Sequence, residues 1–449
     1  MIHKTFRLLC VSLVLVSLFI SCSDDESPLP DEDATEIEME EEEEEEEEPP
    51  IEAEPPGTVE FFNESLTEDG LILVNDPGNK RAYLMDRNAN ITHEWKLKGA
   101  PGNDMLLLPD GKLLASLKVE DPAIPFGGLG GVVQLINPDN TLDWDFFYSS
   151  EDYIIHHDVE LLPNGNVLAL VWERKTVEEA ENAGSNLTID VFPEAIIEIN
   201  PTTDEIEWEW HAWDHLIQDH DNTKENFGVV ADNPQLIDLN HVDIDDGDIM
   251  HANGFSYDEI NDIIYLSVNF FSEVWVIDHS TTTEEAKTSS GGNFGKGGDL
   301  LYRFGNPSAY DNNMGERLFF NNHFPNLLKG SVSGAGNILI FVNRMNDTDQ
   351  SAVYELKMPT TFDLQPNTNN EPEIVWSFTN EELYSPKVSG AVRLKNGNTL
   401  ITQGTGDPGG GFWEVTSDGE VVWRFTGVGF FWRGYNYDKN APEVLALTN

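Results

Sequence analysis

Three histidines stand ahead of tight turns in three separate stretches of this chain. His157 opens His-Asp-Val-Glu-Leu-Leu-Pro-Asn-Gly-Asn, seven residues before the turn residue Asn164. His251 opens His-Ala-Asn-Gly-Phe-Ser-Tyr, seven before Asp258. His323 opens His-Phe-Pro-Asn-Leu-Leu ahead of a turn at Gly334–Asn337, at a longer spacing, and the next stretch carries Ser389 seven before Asn396. A single buried histidine is more often a packed core residue than a catalyst, so the repetition is what makes these three informative. Three imidazoles brought together allow two chemistries. They could ligate a zinc or iron ion with water as a further ligand. They could instead bind an anion and act as nucleophile and acid–base groups, because imidazole titrates near neutral pH. Spacing leaves both open, and no His-x-x-x-His pair or nearby carboxylate motif among the three favours a metal.

The elements that must position these side chains repeat along the chain. A turn followed by an aromatic strand occurs at Asn90–Trp95, Asn140–Trp144, Asp204–Trp208, Asp299–Tyr302, Glu373–Trp376 and Asp418–Trp423. A hairpin with an Asn-Gly or Asp-Gly turn alternates with it, as in Leu106–Leu114, Leu161–Leu168 and Val392–Ile401. Those dipeptides tolerate the left-handed backbone of a two-residue hairpin turn. Looser copies span Ile249–Val268 and Pro325–Val342, with Leu71–Met85 as the expected sixth. Four short antiparallel strands per unit of about 45–50 residues is the repeat of a propeller blade. The expected fold is therefore all-β, a six-bladed β-propeller over residues 57–449. An open solenoid or a two-sheet sandwich is the alternative. Residues 174–190, 211–247 and 280–298 read as loop insertions. In a propeller the innermost strands line a central funnel, so equivalent positions at one end of those strands converge on the axis.

The other histidines read as structural. His211-Ala-Trp-Asp-His215, with His220 downstream, lies off the repeat and is expected in an ordered loop over the funnel mouth; His93 and His279 fall in outer strands or turns. Phe270, Phe271, Trp275, Phe319, Phe320, Phe324, Trp413 and Trp432 crowd the candidate region. Most are expected in the core, and a subset at the mouth would suit a flat aromatic ligand.

Of 449 residues, 82 are acidic and 25 basic, giving a net charge of -57. Such a chain is not a phosphate-backbone binder, which excludes sequence-independent nucleic-acid binding; it is equally ill suited to anionic lipid headgroups. Asp24 to Glu54 holds 19 acidic residues and no basic one. That stretch cannot bury a core, so residues 23–56 read as a disordered acidic stalk. The cysteines are Cys10 and Cys22, so the body has neither a disulfide nor a cysteine nucleophile. Lys4 and Arg7 precede an apolar run, Leu8 to Ile20, and then Ser21-Cys22. Residues 1–22 thus follow the secretory signal pattern. They resemble a bacterial lipoprotein signal, whose cysteine becomes the lipidated first residue. Lipidation of Cys22 and export to the cell envelope, on its periplasmic face or the cell surface, are the expectation.

Taken together, Glu209-Trp-His-Ala-Trp-Asp-His215, Ser272-Glu-Val-Trp-Val-Ile-Asp-His-Ser-Thr-Thr-Thr283, Gly297-Gly-Asp-Leu-Leu-Tyr-Arg-Phe-Gly-Asn-Pro307 and His156–Asn166 resemble the bacterial arylsulfate sulfotransferase family. The resemblance covers roughly residues 70–440. It implies a six-bladed propeller that moves a sulfuryl group from an aryl sulfate donor to a phenol acceptor, without a nucleotide sulfate donor or other cofactor. No Gly-x-x-x-x-Gly-Lys-[Ser/Thr] phosphate loop is present. The resemblance places a transiently sulfated nucleophile on His323, in a ping-pong cycle. It places supporting histidines on His157, or its neighbour His156, and on His251, with Asn253 as an amide beside the sulfuryl group. One position departs from the family pattern: Leu266-Ser-Val-Asn269 puts Asn269 where family members carry an arginine. Arg344 and Arg433 are the expected substitutes, and Ser389 completes the set of substrate-facing positions. A propeller that binds phenolic or sulfated ligands, or proteins, without turnover is the alternative function.

Overall fold

The computed structural model describes residues 56–406, 409–427 and 429–448. The expected signal, Cys22 and all but the last residue of the acidic stalk lie outside the described residues. The described chain forms six blades in a ring. Blade two is Pro101–Leu107, Leu113–Lys118, Gly131–Ile136 and Leu142–Phe147, from inside to outside. Blades three to six start from the inner strands Tyr153–Leu161, Ala252–Asp258, Phe320–Leu327 and Gly390–Arg393. Neighbouring inner strands touch around the ring.

Blade one differs from the sequence expectation. Leu71–Asp76 and Arg81–Met85, the expected sixth hairpin, pair as a hairpin but form its second and third strands, not its first two. The innermost strand is Gly434–Tyr437, paired from the far end of the chain through Leu71↔Tyr437 to Val74↔Gly434. Gly57–Phe62 adds a fifth strand outside Val421–Gly427 in blade six. Both ends of the described chain thus zip into the ring and cover backbone edges that would otherwise stay unpaired.

The repeat aromatics lie in the outer-blade strands, as their spacing implies, and several fill the spaces between blades. Trp95 packs with Met105 and Leu113 of blade two. Trp208 and Trp210 pack against Ile264 and Leu266 of blade four. Trp423 packs with Ile72 and Val74 of blade one. Trp95, Trp210 and Trp423 are fully buried, so removing any one costs about 3–5 kcal/mol. The insertions are ordered. Residues 174–190 and 280–298 hold the short helices Val177–Asn182 and Thr283–Ala286, each closed by a Thr/Glu capping box. Residues 211–247 hold a two-strand parallel ladder, Leu216–Ile217 with Ile237–Asp238.

Candidate functional site

A bulge recurs in the inner strands, and it sets the site. The register skips at residues 157–158 of blade three, 253 of blade four and 324–325 of blade five. Single residues take positive φ within the skips, His157 (φ 51°) and Phe324 (φ 54°), or immediately before the inner strand, His251 (φ 51°) and Ser389 (φ 91°). A bulge re-aims side chains that a regular strand would alternate between faces, and such strained positions collect at functional sites. His323 is therefore one step off the other two histidines. It precedes the left-handed residue of its strand, as His156 does in blade three.

His157 and His251 meet edge to face with ring centroids 5.0 Å apart, and Trp432 stands edge-on to His157 at 6.5 Å. Two glycines admit this packing. A Cβ on Gly128, whose φ is +91°, would sit 2.0 Å from the His157 ring, and one on Gly254 would sit 2.1 Å from the Arg433 guanidinium.

Each imidazole has a different electrical setting. His323 donates its Nδ1 proton to Asn343 Oδ1 (2.7 Å). That direction follows from the Asn343 amide, whose Nδ2 donates to Ser385 O (2.9 Å) and Val388 O (3.0 Å) and so leaves Oδ1 facing the ring. Nε2 is then the unprotonated nitrogen, and it accepts the Val388 N–H (3.1 Å). Burial pushes His323 down to about 3, with the charges of His251 and Arg433 adding to it and the Asn343 bond opposing. His157 is held well below the ordinary imidazole value, first by burial, then by the charge of His251. His251 behaves oppositely. Burial works against its charge, but the hydrogen bond and charge of Asp248, with Glu194 and Asp246, raise it above the ordinary value. Asp248 lies three residues before His251, accepts its backbone N–H (3.1 Å) and bonds its Nδ1.

His156 backs His157 instead of facing the funnel. It is fully buried, stacks on Trp172 at 3.7 Å, and joins Glu194 Oε2 (2.8 Å) to His157 Nδ1 (2.8 Å). Glu194 also accepts from Trp172 Nε1 (3.1 Å) and the Ala252 amide (2.6 Å), tying blade three to blade four. With Glu194 accepting from His156, the remaining nitrogen of His157, Nε2, is an acceptor. With Glu194 protonated, as burial favours, the chain reverses and His157 becomes a donor. The row can exchange a proton with a ligand without placing a net charge on either imidazole.

The remaining sequence-expected residues divide. Asn253 Nδ2 donates to Asn322 O (2.7 Å), and its buried Oδ1 has no partner. Asn269 serves the same clamp between blades four and five: its Nδ2 donates to Asn322 O (3.2 Å), and its Oδ1 accepts from Asn321 Nδ2 (2.8 Å). Ser389 Oγ accepts the Gly404 N–H (2.9 Å). Arg344 points elsewhere. Strand alternation turns Asn343 toward His323 and Arg344 away, to ion-pair with Asp347 (3.0 Å) at the surface. Arg433 lies at the axis but already spans Asp158 (2.9 Å), Asp104 (3.3 Å) and Asn253 O (2.9 Å). Its charge is spent on two buried carboxylates, one of which, Asp104, burial pushes well up.

The histidines off the repeat are held in local networks. His211 lies between Glu173 (3.0 Å) and Glu209 (3.8 Å). His215 joins Asp299 (2.8 Å) to Ala286 O (2.7 Å). His279 bonds Asp262 (2.7 Å) and Glu198 (3.0 Å). Among the described residues, no group of three His, Cys, Asp or Glu side chains is placed to hold a metal ion.

Sequence reasoning missed Glu194, Asp248, Asn343 and the Val388 amide. The Asp248-x-x-His251 spacing is a usable local signal for an Asx turn. The other three reach the histidines from strands or loops distant in sequence, so no spacing marks them.

Solved structures match the chain at very low identity. The β-propeller domain of Cps50 (Swd1) from Myceliophteria thermophila is 9% identical, covering 84% of this chain and 88% of that one with a TM-score of 0.40. A putative 6-phosphogluconolactonase from Bacteroides fragilis is 12% identical over 80% of each chain, with a TM-score of 0.35. Another from Bacteroides uniformis is 10% identical over 81% of this chain and 87% of that one, with a TM-score of 0.38. No curated protein sequence matches the chain. The family description Arylsulfotransferase (ASST) matches residues 58–411, from the outermost strand of blade six through all the inner-strand histidines. The chain belongs to the arylsulfotransferase family.

Proposed function

We propose that this protein transfers a sulfuryl group from an aryl sulfate to a phenol by way of a sulfated His323. The observation that carries the reading is the hydrogen-bond geometry of the histidines: Asp248 bonds His251 Nδ1, which favours its charged form, while Asn343 takes the Nδ1 proton of His323 and leaves its Nε2 lone pair for attack. In the first half-reaction His323 Nε2 attacks sulfur. The N–S bond forms, the S–O bond to the aryl group breaks, and His251 gives its proton to the departing phenolate. In the second, an acceptor phenol loses its proton to His251 or to the His157 row, attacks sulfur, and the N–S bond breaks. Asn343 fixes the tautomer that leaves Nε2 as the attacking atom. Attack requires the Val388 N–H to leave Nε2, and the freed amide is then a donor for a sulfuryl oxygen.

Incubating the purified protein with excess 4-nitrophenyl sulfate and no acceptor is expected to add about 80 Da, the covalent intermediate of nucleophilic catalysis. The adduct should map to His323, disappear on adding phenol, and be absent in His323→Ala. The Val388 hydrogen bond on the Nε2 lone pair favours a second reading, in which the funnel binds sulfated phenols without turnover. A well-folded protein that gives neither adduct nor nitrophenol would refute the first reading, and saturable binding of 4-nitrophenyl sulfate by that protein would support the second. We further propose that the chain is exported and lipid-anchored through Cys22. Acyl-chain labelling lost in Cys22→Ser supports this, and equal labelling in both refutes it.

A further inference from the structure

We infer that Arg317 and Lys387 form a cationic rim that admits the anionic aromatic ester to His323. This deepens the transferase reading and rests on it. The protein carries 82 acidic residues against 25 basic ones, so its surface repels an aryl sulfate. Nearly all of its guanidinium charge is already cancelled. Among the described residues every other arginine makes an ion pair with a carboxylate, including Arg433 at the axis and Arg344 at the surface. Arg317 makes none. Its Nε donates to Phe319 O (2.7 Å), its Nη2 to Ser272 Oγ (2.8 Å), and its guanidinium lies 4.1 Å over the Phe320 ring. Lys387 is exposed, also makes no ion pair, and rests 5.4 Å over the Phe430 ring.

Both cations sit on the segments that lead into the inner strands holding His323. Arg317 precedes Phe320–Leu327, the strand of His323 itself. Lys387 adjoins Val388, whose amide bonds His323 Nε2. Aromatic and polar contacts continue inward from each. Ser272, the partner of Arg317, closes the turn begun by Asn269 (Ser272 N–H to Asn269 O, 2.9 Å). That turn carries Phe270, which stacks on His251 at 4.9 Å. Phe430, under Lys387, meets Trp432 edge-on at 4.6 Å, and Trp432 stands against His157. The buried Trp432 Nε1 has no acceptor. Positive charge with no ion-paired carboxylate, lying over aromatic faces, with an orphaned donor further in, is complementary to a flat ring bearing a sulfate oxygen cluster.

The test uses the purified full-length protein and the variants Arg317→Ala, Lys387→Ala, both together, and Arg317→Lys. Turnover is read with 4-nitrophenyl sulfate as donor and phenol as acceptor. Equilibrium binding is read with benzenesulfonate, which cannot transfer. Each alanine should raise the donor KM and the benzenesulfonate Kd about 3- to 10-fold, and the pair about 30-fold, as for charge-assisted contacts. The phenol KM should stay unchanged, and Arg317→Lys should recover part of the loss. Raising NaCl should strengthen benzenesulfonate binding to the double variant, by screening the acidic surface, and should do so less in the wild type, where it also screens the rim. Unchanged donor KM and Kd in the double variant, or an equal loss for phenol, overturns the rim while leaving the transferase intact. Rim-dependent benzenesulfonate binding by a wild type that never releases nitrophenol supports the rim and refutes the transferase reading.

Discussion

Replacing Asp248 by Asn tests whether His251 is the acid. The substitution keeps shape and keeps an oxygen for the His251 backbone N–H (3.1 Å). It removes the charge that bonds His251 Nδ1, the contact that overcomes burial and holds this imidazole protonated. A hydrogen bond to a charged partner contributes about 1.5–3 kcal/mol. At about 1.4 kcal/mol per pKa unit, His251 should fall by about 1–2 units. The proposed proton donation needs His251 charged, so the rate is lost as pH rises through its pKa. In Asp248→Asn the alkaline limb should move down by the same 1–2 units. At a fixed pH above both limbs the first half-reaction should slow about 10- to 100-fold, while the acid plateau changes little. Stopped-flow release of phenol under single-turnover conditions, against pH, measures this directly. Unsubstituted phenyl sulfate, a poor leaving group, should show the effect more strongly than 4-nitrophenyl sulfate. The sign for stability agrees. A raised folded pKa stabilises below the ordinary imidazole value and ceases to as pH rises through the folded value. Wild type and variant should therefore converge in stability at alkaline pH. An unmoved alkaline limb with both donors would show that His251 is not the acid.

Arg433→Met should lower the denaturant-derived stability by about 3–5 kcal/mol, because Asp104 and Asp158 would remain buried without their counter-charge; a change below 1 kcal/mol would show that the pair is solvated. Gly128→Ala adds a Cβ at φ +91° and 2.0 Å from the His157 ring. It should displace His157, costing about 1–3 kcal/mol of stability and most of kcat, read by thermal melt and turnover. His211 is opposed by burial but pushed up to about 9 by its bonds to Glu173 and Glu209. Its stabilisation should be complete below the ordinary imidazole pKa and lost through about pH 9, so His211→Gln should melt lower than wild type at pH 6 and equally at pH 10.

The sequence by itself determined the propeller. The Asn-Gly and Asp-Gly turns and the aromatic strands are local signals, because turn geometry and inter-blade packing are repeated in every unit. The same repeat marked His157, His251 and Ser389 by a seven-residue offset, and each of the three takes a positive φ at or just before its inner strand. The sequence could not reveal that Gly434–Tyr437 closes blade one, because ring closure pairs residues more than 350 apart and leaves no spacing to read. Nor could it separate Asn343 from Arg344. Which of two adjacent strand residues faces the axis depends on register, and only the folded blade sets that. The protonation states of the histidines are likewise tertiary. Asp248, Glu194, Asn343 and Arg433 come from different blades or loops, and a charge's effect on an imidazole depends on distance and burial, not on order along the chain. The same holds for the cations: sequence counts ten arginines as equals, and folding leaves Arg317 without an ion pair.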